Sequence, residues 1–158
     1  MNEEKIVSEI KQTFGISDEN IRVARARRIF MEVPEEKFVP VIDHLFRRMD
    51  FKRLASLTGQ DEGETMTVTY HLSRFDGTML NLKRRVPKNH PVLSSIQEWF
   101  PGGVIYEREI KDLLGFTVPG LPEGERYPLP DGWPDGQHPL RKDWDQSVLD
   151  KAWGKSNF

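Results

Sequence analysis

The sequence predicts an α+β domain: a small mixed or antiparallel sheet with flanking helices, continued by an extended proline-rich C-terminal tail. Three observations carry this. Apolar residues recur at three- and four-residue spacing in three separate segments. Between those segments lie stretches of strict apolar–polar alternation, two of which meet at Asp76-Gly77. Six of the 11 prolines fall after Thr117, where both periodicities stop. The predicted domain therefore covers residues 1–116 and the tail residues 117–158.

In chain order, Ile6, Val7, Ile10 and Phe14 form one helical stripe between Glu3 and Phe14, with Gly15 as its stop. Ile21 and Val23, then Ile29, Met31 and Val33, alternate as in strands. Pro34 with Glu35 and Glu36 opens a second helix, whose stripe runs Phe38, Val41, Ile42, Leu45, Phe46 and Met49. Pro40 interrupts that pattern, so the helix begins late or bends there. A short strand is expected around Leu54 to Thr58. Val68, Tyr70 and Leu72 lead into Asp76-Gly77, and Leu80, Leu82 and Val86 lead away, predicting a hairpin with a type I′ turn. Leu93, Ile96, Trp99 and Phe100 suggest a short helix ended by Pro101-Gly102-Gly103, and a further helix covers Val104 to Leu114. Beyond Thr117, proline stiffens the chain and removes backbone donors. The tail's Trp133, Trp144 and Trp153 are too apolar for a solvated linker. They suit a partner's surface better than a return to the tail's own domain.

The chain has 158 residues, enough for one domain with a core. Its 23 basic and 25 acidic residues leave a formal charge of −2, so no global field recruits nucleic acid or anionic lipid. No apolar run approaches the roughly 18 residues of a membrane span. The opening Met1-Asn2-Glu3-Glu4-Lys5 lacks the basic-then-apolar pattern of a signal peptide. The cysteine count is 0, which excludes disulfides, thiolate zinc sites and cysteine-held iron–sulfur clusters within the sequence.

Candidate chemistry is sparse. No two of His44, His71, His90 and His138 stand at i, i+4, and each reads as structural. Neither a Gly-x-Ser-x-Gly elbow nor a phosphate-binding glycine loop is present, and Gly102-Gly103 reads as a simple turn. Three basic clusters stand out: Arg25, Arg27 and Arg28; Arg47, Arg48, Lys52 and Arg53; and Lys83, Arg84 and Arg85. They make a free nucleic-acid-binding or regulatory domain the alternative function. Interleaved acids favour a solvated face or a polar contact with an acidic protein. The densest string, Tyr106 to Gly115, reads as a surface helix with Glu107–Lys111 and Arg108–Asp112 pairs at i, i+4 and an apolar stripe of Tyr106, Ile110, Leu113 and Leu114.

That string resembles the signature of the thirty-kilodalton (C) subunit of respiratory complex I and its relatives in membrane-bound hydrogenases. The matching residues are Glu107-Arg108-Glu109, Asp112, Leu113-Leu114 and Gly115, followed by Trp133 and by Pro139-Leu140-Arg141-Lys142-Asp143. Smaller echoes from Val33 to Trp144 extend the resemblance over most of the chain. Where many complex I members carry Gly-His-Pro-Asp-Leu-Arg-Arg, this chain reads Gly120-Leu121-Pro122-Glu123-Gly124-Glu125-Arg126. The string Trp133-Pro134-Asp135-Gly136 is closer to the hydrogenase-type relatives.

The resemblance implies an assembly subunit without a cofactor or active site of its own, in the soluble arm of an ion-translocating redox complex. It implies a tail that wraps onto the large catalytic subunit. Quinone or nickel–iron chemistry would lie on that neighbour, and iron–sulfur clusters on further subunits. Placement would be peripheral, at the cytoplasmic face of the cell membrane, held through partners alone. The residues implied in partner contact are Glu107, Arg108, Glu109, Asp112, Trp133, Pro139, Leu140, Arg141, Lys142, Asp143 and Trp144.

Overall fold

The first helix, α1 (Glu3–Phe14), begins where Asn2 Oδ1 accepts the Lys5 N–H at 3.1 Å and ends at Gly15, whose φ of 61° suits glycine. A computed structural model describes residues 2–153, with side chains as far as Lys151. Five strands follow: β1 (Ile21–Arg25), β2 (Arg28–Glu32), β3 (Arg53–Asp61), β4 (Thr65–Ser73) and β5 (Met79–Pro87). They form one sheet in the order β1-β2-β5-β4-β3, antiparallel throughout except where β2 runs parallel to β5. The α+β class is as the sequence predicts, and the sheet is mixed.

Helix α2 (Glu35–Arg47) connects β2 to β3 and starts well before Pro40. Val39 and Pro40 face solvent, so the ring stays out of the core, and Pro40 has no N–H to give to the helix. The β4–β5 turn differs from the expected two-residue type I′. Arg74 N bonds Thr78 O, Gly77 N bonds Arg74 O, and among residues 74–78 only Gly77 has positive φ, at 84°. This is a type I turn closed by a glycine bulge, held by Asp76 Oδ1 accepting the Thr78 N–H at 2.9 Å. Strand β3 is longer than expected, nine residues from Arg53 to Asp61.

The short helix expected around Leu93 to Phe100 does not form. Its backbone donors are committed elsewhere: Leu93 N bonds Thr117 O, and Ile96 N bonds the Glu107 carboxylate. Leu93, Ile96, Trp99 and Phe100 are nevertheless buried, carried on turns. After one 3₁₀ turn, α3 (Val104–Leu114) runs to Gly115, as predicted.

The helices share one face of the sheet. Toward them point Ile29 and Met31, Leu80 and Leu82, Met66, Val68, Tyr70 and Leu72, all within a core that includes Phe38 and Leu45. Arg84 shares that face and is 1% exposed; it pairs with Glu35 and lies 4.0 Å from the Phe38 ring centroid. Burial pushes its guanidinium down to about 10. The opposite face is polar and carries a hydrogen-bonded chain from β3 to β2. Thr58 meets His71 Nε2 at 3.1 Å, His71 Nδ1 meets Asn81 Oδ1 at 2.7 Å, and Asn81 donates to Ile29 O.

The core ends at Val118. From there to Gln146 neither helix nor strand forms, and α4 (Ser147–Trp153) closes the described chain. This tail is irregular, yet it lies folded against α3 and the end of β3. The side chain of Trp153 lies outside the described residues. Among the described residues, no helix is long and apolar enough to cross a membrane.

Candidate subunit interface

Helix α3 is drawn onto β3 by Ile110 and Leu114. Gly59 makes the approach possible: a Cβ there would stand 2.5 Å from Leu114 Cδ1 and 3.0 Å from Ile110 Cγ2. Glu107 lies three residues before Ile110, on the same stripe, and is carried inside to 2% exposure. Its Oε2 accepts the Ser95 hydroxyl at 2.8 Å and its Oε1 accepts the Ile96 N–H at 2.7 Å. Burial raises the carboxyl above its ordinary pKa, and these two bonds oppose the rise.

The intrahelical pairs expected from spacing are therefore absent. Glu107 points inward while Lys111 is exposed. Arg108 reaches the tail instead, donating to Pro122 O at 3.3 Å and Glu123 O at 3.1 Å. Asp112 is also taken by the tail: Oδ1 accepts Arg126 Nε at 2.6 Å and Oδ2 accepts Leu129 N at 3.0 Å. Arg126 is the arginine retained in the divergent stretch after Gly120, and its Nη1 continues to Trp133 O at 2.7 Å.

A helix leaves its last four carbonyls without internal partners. In α3 all four are satisfied, three of them by the tail. Lys111 O takes the Gly115 N–H. His138 Nδ1 lies 2.8 Å from Asp112 O, Leu140 N donates to Leu113 O at 3.0 Å, and Arg141 Nε donates to Leu114 O at 2.7 Å. Gly115 is required twice over, by a φ of 74° and because a Cβ would lie 2.5 Å from the His138 ring. The positive charge of Arg141 also complements the negative end of the helix.

Asp61 extends the clasp to the end of β3. Its Oδ2 accepts the Lys142 N–H at 2.9 Å and pairs with Lys88 Nζ at 2.8 Å; Lys88 also reaches Asp143 at 3.1 Å. Burial alone would raise Asp61, but Lys88 and the Lys142 and Gly63 N–H groups outweigh it and hold the carboxyl at about 2. Further out, Trp133 and Trp144 stack with centroids 6.1 Å apart, and Trp133 Nε1 donates to Gln137 O.

The structure thus brings together Glu107, Arg108, Asp112 and the segment from Pro139 to Trp144, with Trp133 beside it. Glu109 makes no such bond; it borders a shallow cleft with Leu57, Leu113 and Leu140. Sequence reasoning took His138 as structural without finding its partner, and gave no role to Arg126, Lys88 or Asp61. The inward position of Glu107 had a signal, its place on the stripe of Ile110 and Leu114. Asp61 and Lys88 had none, because strand ends far apart in sequence carry no shared period. Chemically, the assembly fixes a surface: Leu140 is 56% exposed and Tyr127 44% exposed, on a frame of buried polar bonds.

Comparison with known proteins agrees with the family resemblance. The model for the family described as respiratory-chain NADH dehydrogenase, 30 Kd subunit, matches residues 31–148. The C subunit of the NADH-quinone oxidoreductase of Moorella thermoacetica is 33% identical over 115 residues, 71% of this chain and 76% of that one. The beta subunit of the membrane-bound hydrogenase of Pyrococcus furiosus is 26% identical over 147 residues, 89% of this chain and 84% of that one. In the C/D subunit of the NADH-quinone oxidoreductase of Phocaeicola vulgatus, 36% identical over 124 residues, the match covers 75% of this chain but 23% of the relative. A chain in the solved structure of the membrane-bound sulfane sulfur reductase, an archaeal respiratory membrane complex, shares the fold with a TM-score of 0.82 at 24% identity, covering 98% of this chain and 94% of its own. The helix that ends in Gly115 and the segment that caps it both lie within the matched residues, and the chain belongs to the family of the 30 Kd subunit of respiratory-chain NADH dehydrogenase.

Proposed function

We propose that this chain is a non-catalytic assembly subunit in the soluble arm of a membrane-bound, ion-translocating redox complex of the hydrogenase or NADH:quinone oxidoreductase type. In this reading its clasped tail docks on the large catalytic subunit. Electrons pass through iron–sulfur clusters, and nickel–iron or quinone chemistry occurs, on neighbouring chains at the cytoplasmic face of the cell membrane. With no cysteine in the sequence, the chain has no thiolate with which to hold such a cluster.

The observation that carries the reading is the clasp. The family's two motifs satisfy each other's backbone and buried charge, and by doing so present Leu140 and Tyr127 outward on a rigid support. A surface ordered before binding loses less freedom when a partner docks. The length of the C/D relative adds support: there a domain like this one is part of a chain about four times as long. Covalent linkage suits domains that are neighbours in an assembly.

Leu140→Glu tests the proposal. The side chain is exposed, so the isolated protein should melt within about 0.5 kcal/mol of wild type. Recovery in the complex through a tag on another subunit should fall on the order of tenfold, as when a charge enters an apolar contact. Unchanged recovery would place the partner elsewhere.

A further inference from the structure

The fold gathers two of the three basic clusters at one end of the sheet. Arg25, Arg27 and Arg28 lie on the β1–β2 turn, and Lys52 and Arg53 lead into β3. The β4–β5 turn falls between them. A Cβ on its Gly77 would lie 3.5 Å from Arg27 Nη1, and Arg53 Cζ stands 3.9 Å from the centroid of Phe75. Phe75 is 67% exposed at the tip, more than any other large apolar side chain described. Among the described residues, none of these five side chains forms an ion pair, although the Glu3 carboxylate accepts the Arg27 backbone N–H and Lys52 Nζ lies 3.8 Å from the Phe46 ring centroid. The third cluster contrasts with this, since Lys83, Arg84 and Arg85 pair with Glu62, Glu35, and Glu32 with Glu62 respectively. Five cations outnumber the acids beside them, Glu3 at Arg27 and Asp76 paired with Arg74, at one end of a chain whose formal net charge is −2.

This end is remote from the clasp. Strand β3 has Arg53 at one terminus and Asp61 at the other, and nine strand residues span roughly 25–30 Å. We propose that the arginine-rich end is a second docking surface, which takes an acidic segment of another protein subunit and makes this chain a bridge between two partners. The proposal rests on the reading of the chain as a subunit of a complex. Guanidinium groups pair with carboxylates through two parallel bonds, and four of the five cations are arginines. Arginine and aromatic residues are enriched, and lysine depleted, at the centres of protein interfaces. A lipid surface fits less well, because the exposed Phe75 ring at the tip lies under the Arg53 guanidinium and would carry that charge into the bilayer with it.

The test uses the assembled complex. Carbodiimide joins amines to carboxylates that touch them, so Lys52, and position 53 in Arg53→Lys, should be cross-linked to aspartate or glutamate of another subunit. The double reversal Arg27→Glu, Arg53→Glu should keep the thermal unfolding of the isolated chain and cut its recovery in the complex on the order of tenfold. Leu140→Glu is measured beside it. Loss with Leu140→Glu but none with the reversal overturns this proposal and leaves the subunit reading standing; loss with neither overturns both. Absence of any cross-link, or reversal that abolishes binding to phosphatidylserine vesicles or to duplex DNA while recovery stays unchanged, also overturns it.

Discussion

Glu107 shows how one buried carboxylate ties two segments together. Isolated burial of a charge is costly, and here the cost is reduced by a hydroxyl and a backbone N–H, each bonded to its own oxygen. Replacement by alanine leaves the Ser95 hydroxyl proton and the buried Ile96 N–H without their acceptor, though Ser95 Oγ still accepts the Gln97 N–H, so Glu107→Ala should destabilise by about 2–4 kcal/mol. Glutamine keeps an acceptor for Ile96 and removes the charge. Because burial raises the folded pKa above the unfolded value, the folded state holds the proton more tightly. Wild-type stability therefore falls as pH rises through the unfolded and then the folded value. Glu107→Gln should be close to wild type near pH 4 and gain on it toward neutrality. Thermal unfolding across that range decides the point; a variant that gains on wild type toward acid would contradict it.

At the scale of elements, the clasp is made of bonds worth about 1 kcal/mol each, at a place where the tail has no ladder or helix of its own. Such a segment opens locally before the domain unfolds. His138→Ala with Arg141→Ala removes the partners of two α3 carbonyls. Trypsin cleavage after Lys142 should then quicken on the order of tenfold, with little change in the main unfolding transition. Acid should act through Asp61. Its folded pKa is depressed to about 2, so its contribution is present above the unfolded value and is lost as pH falls through about 2. The helices and the sheet of this fold were legible because their periods are local: the stripes of α1 and α2 and the alternation along β4 and β5 appear in the structure where the sequence puts them, while the buried face of α3 is shifted to Glu107, Ile110 and Leu114 and leaves Tyr106 and Leu113 half-buried. The segment after His90 was misread because its apolar spacing suits a helix, while Thr117 and Glu107, distant in sequence, take its donors. The clasp was legible as two motifs and not as one site, since what joins them is backbone bonding that side-chain patterns do not record.

The whole molecule divides between a core that ends at Val118 and a tail that, apart from Leu121 packed against that core and Leu140 beside Leu57 and Leu113, is held to it by polar bonds. Trp133 and Trp144 stack on each other rather than entering the core, so their loss opens no internal cavity. Removing the tail does strip Asp112 of Arg126 and the Leu129 N–H, but it also uncovers the carboxylate to water, which replaces those bonds. Asp61 keeps Lys88, and α3 loses three carbonyl partners to solvent. The sum of such exchanges is small beside a core that holds Phe38, Phe51, Tyr70 and Phe116. A chain ending at Val118 should therefore fold, less stable by about 2–4 kcal/mol, with a single cooperative transition. Its recovery in the complex should fall well beyond that of Leu140→Glu, because the exposed Leu140, the tryptophan pair and the frame beneath them all go together. Calorimetry of the truncated chain and its capture through a tagged subunit answer different questions. A truncated chain that does not fold makes the tail part of the core, and one that assembles at wild-type levels moves the anchor to the arginine-rich end of the sheet.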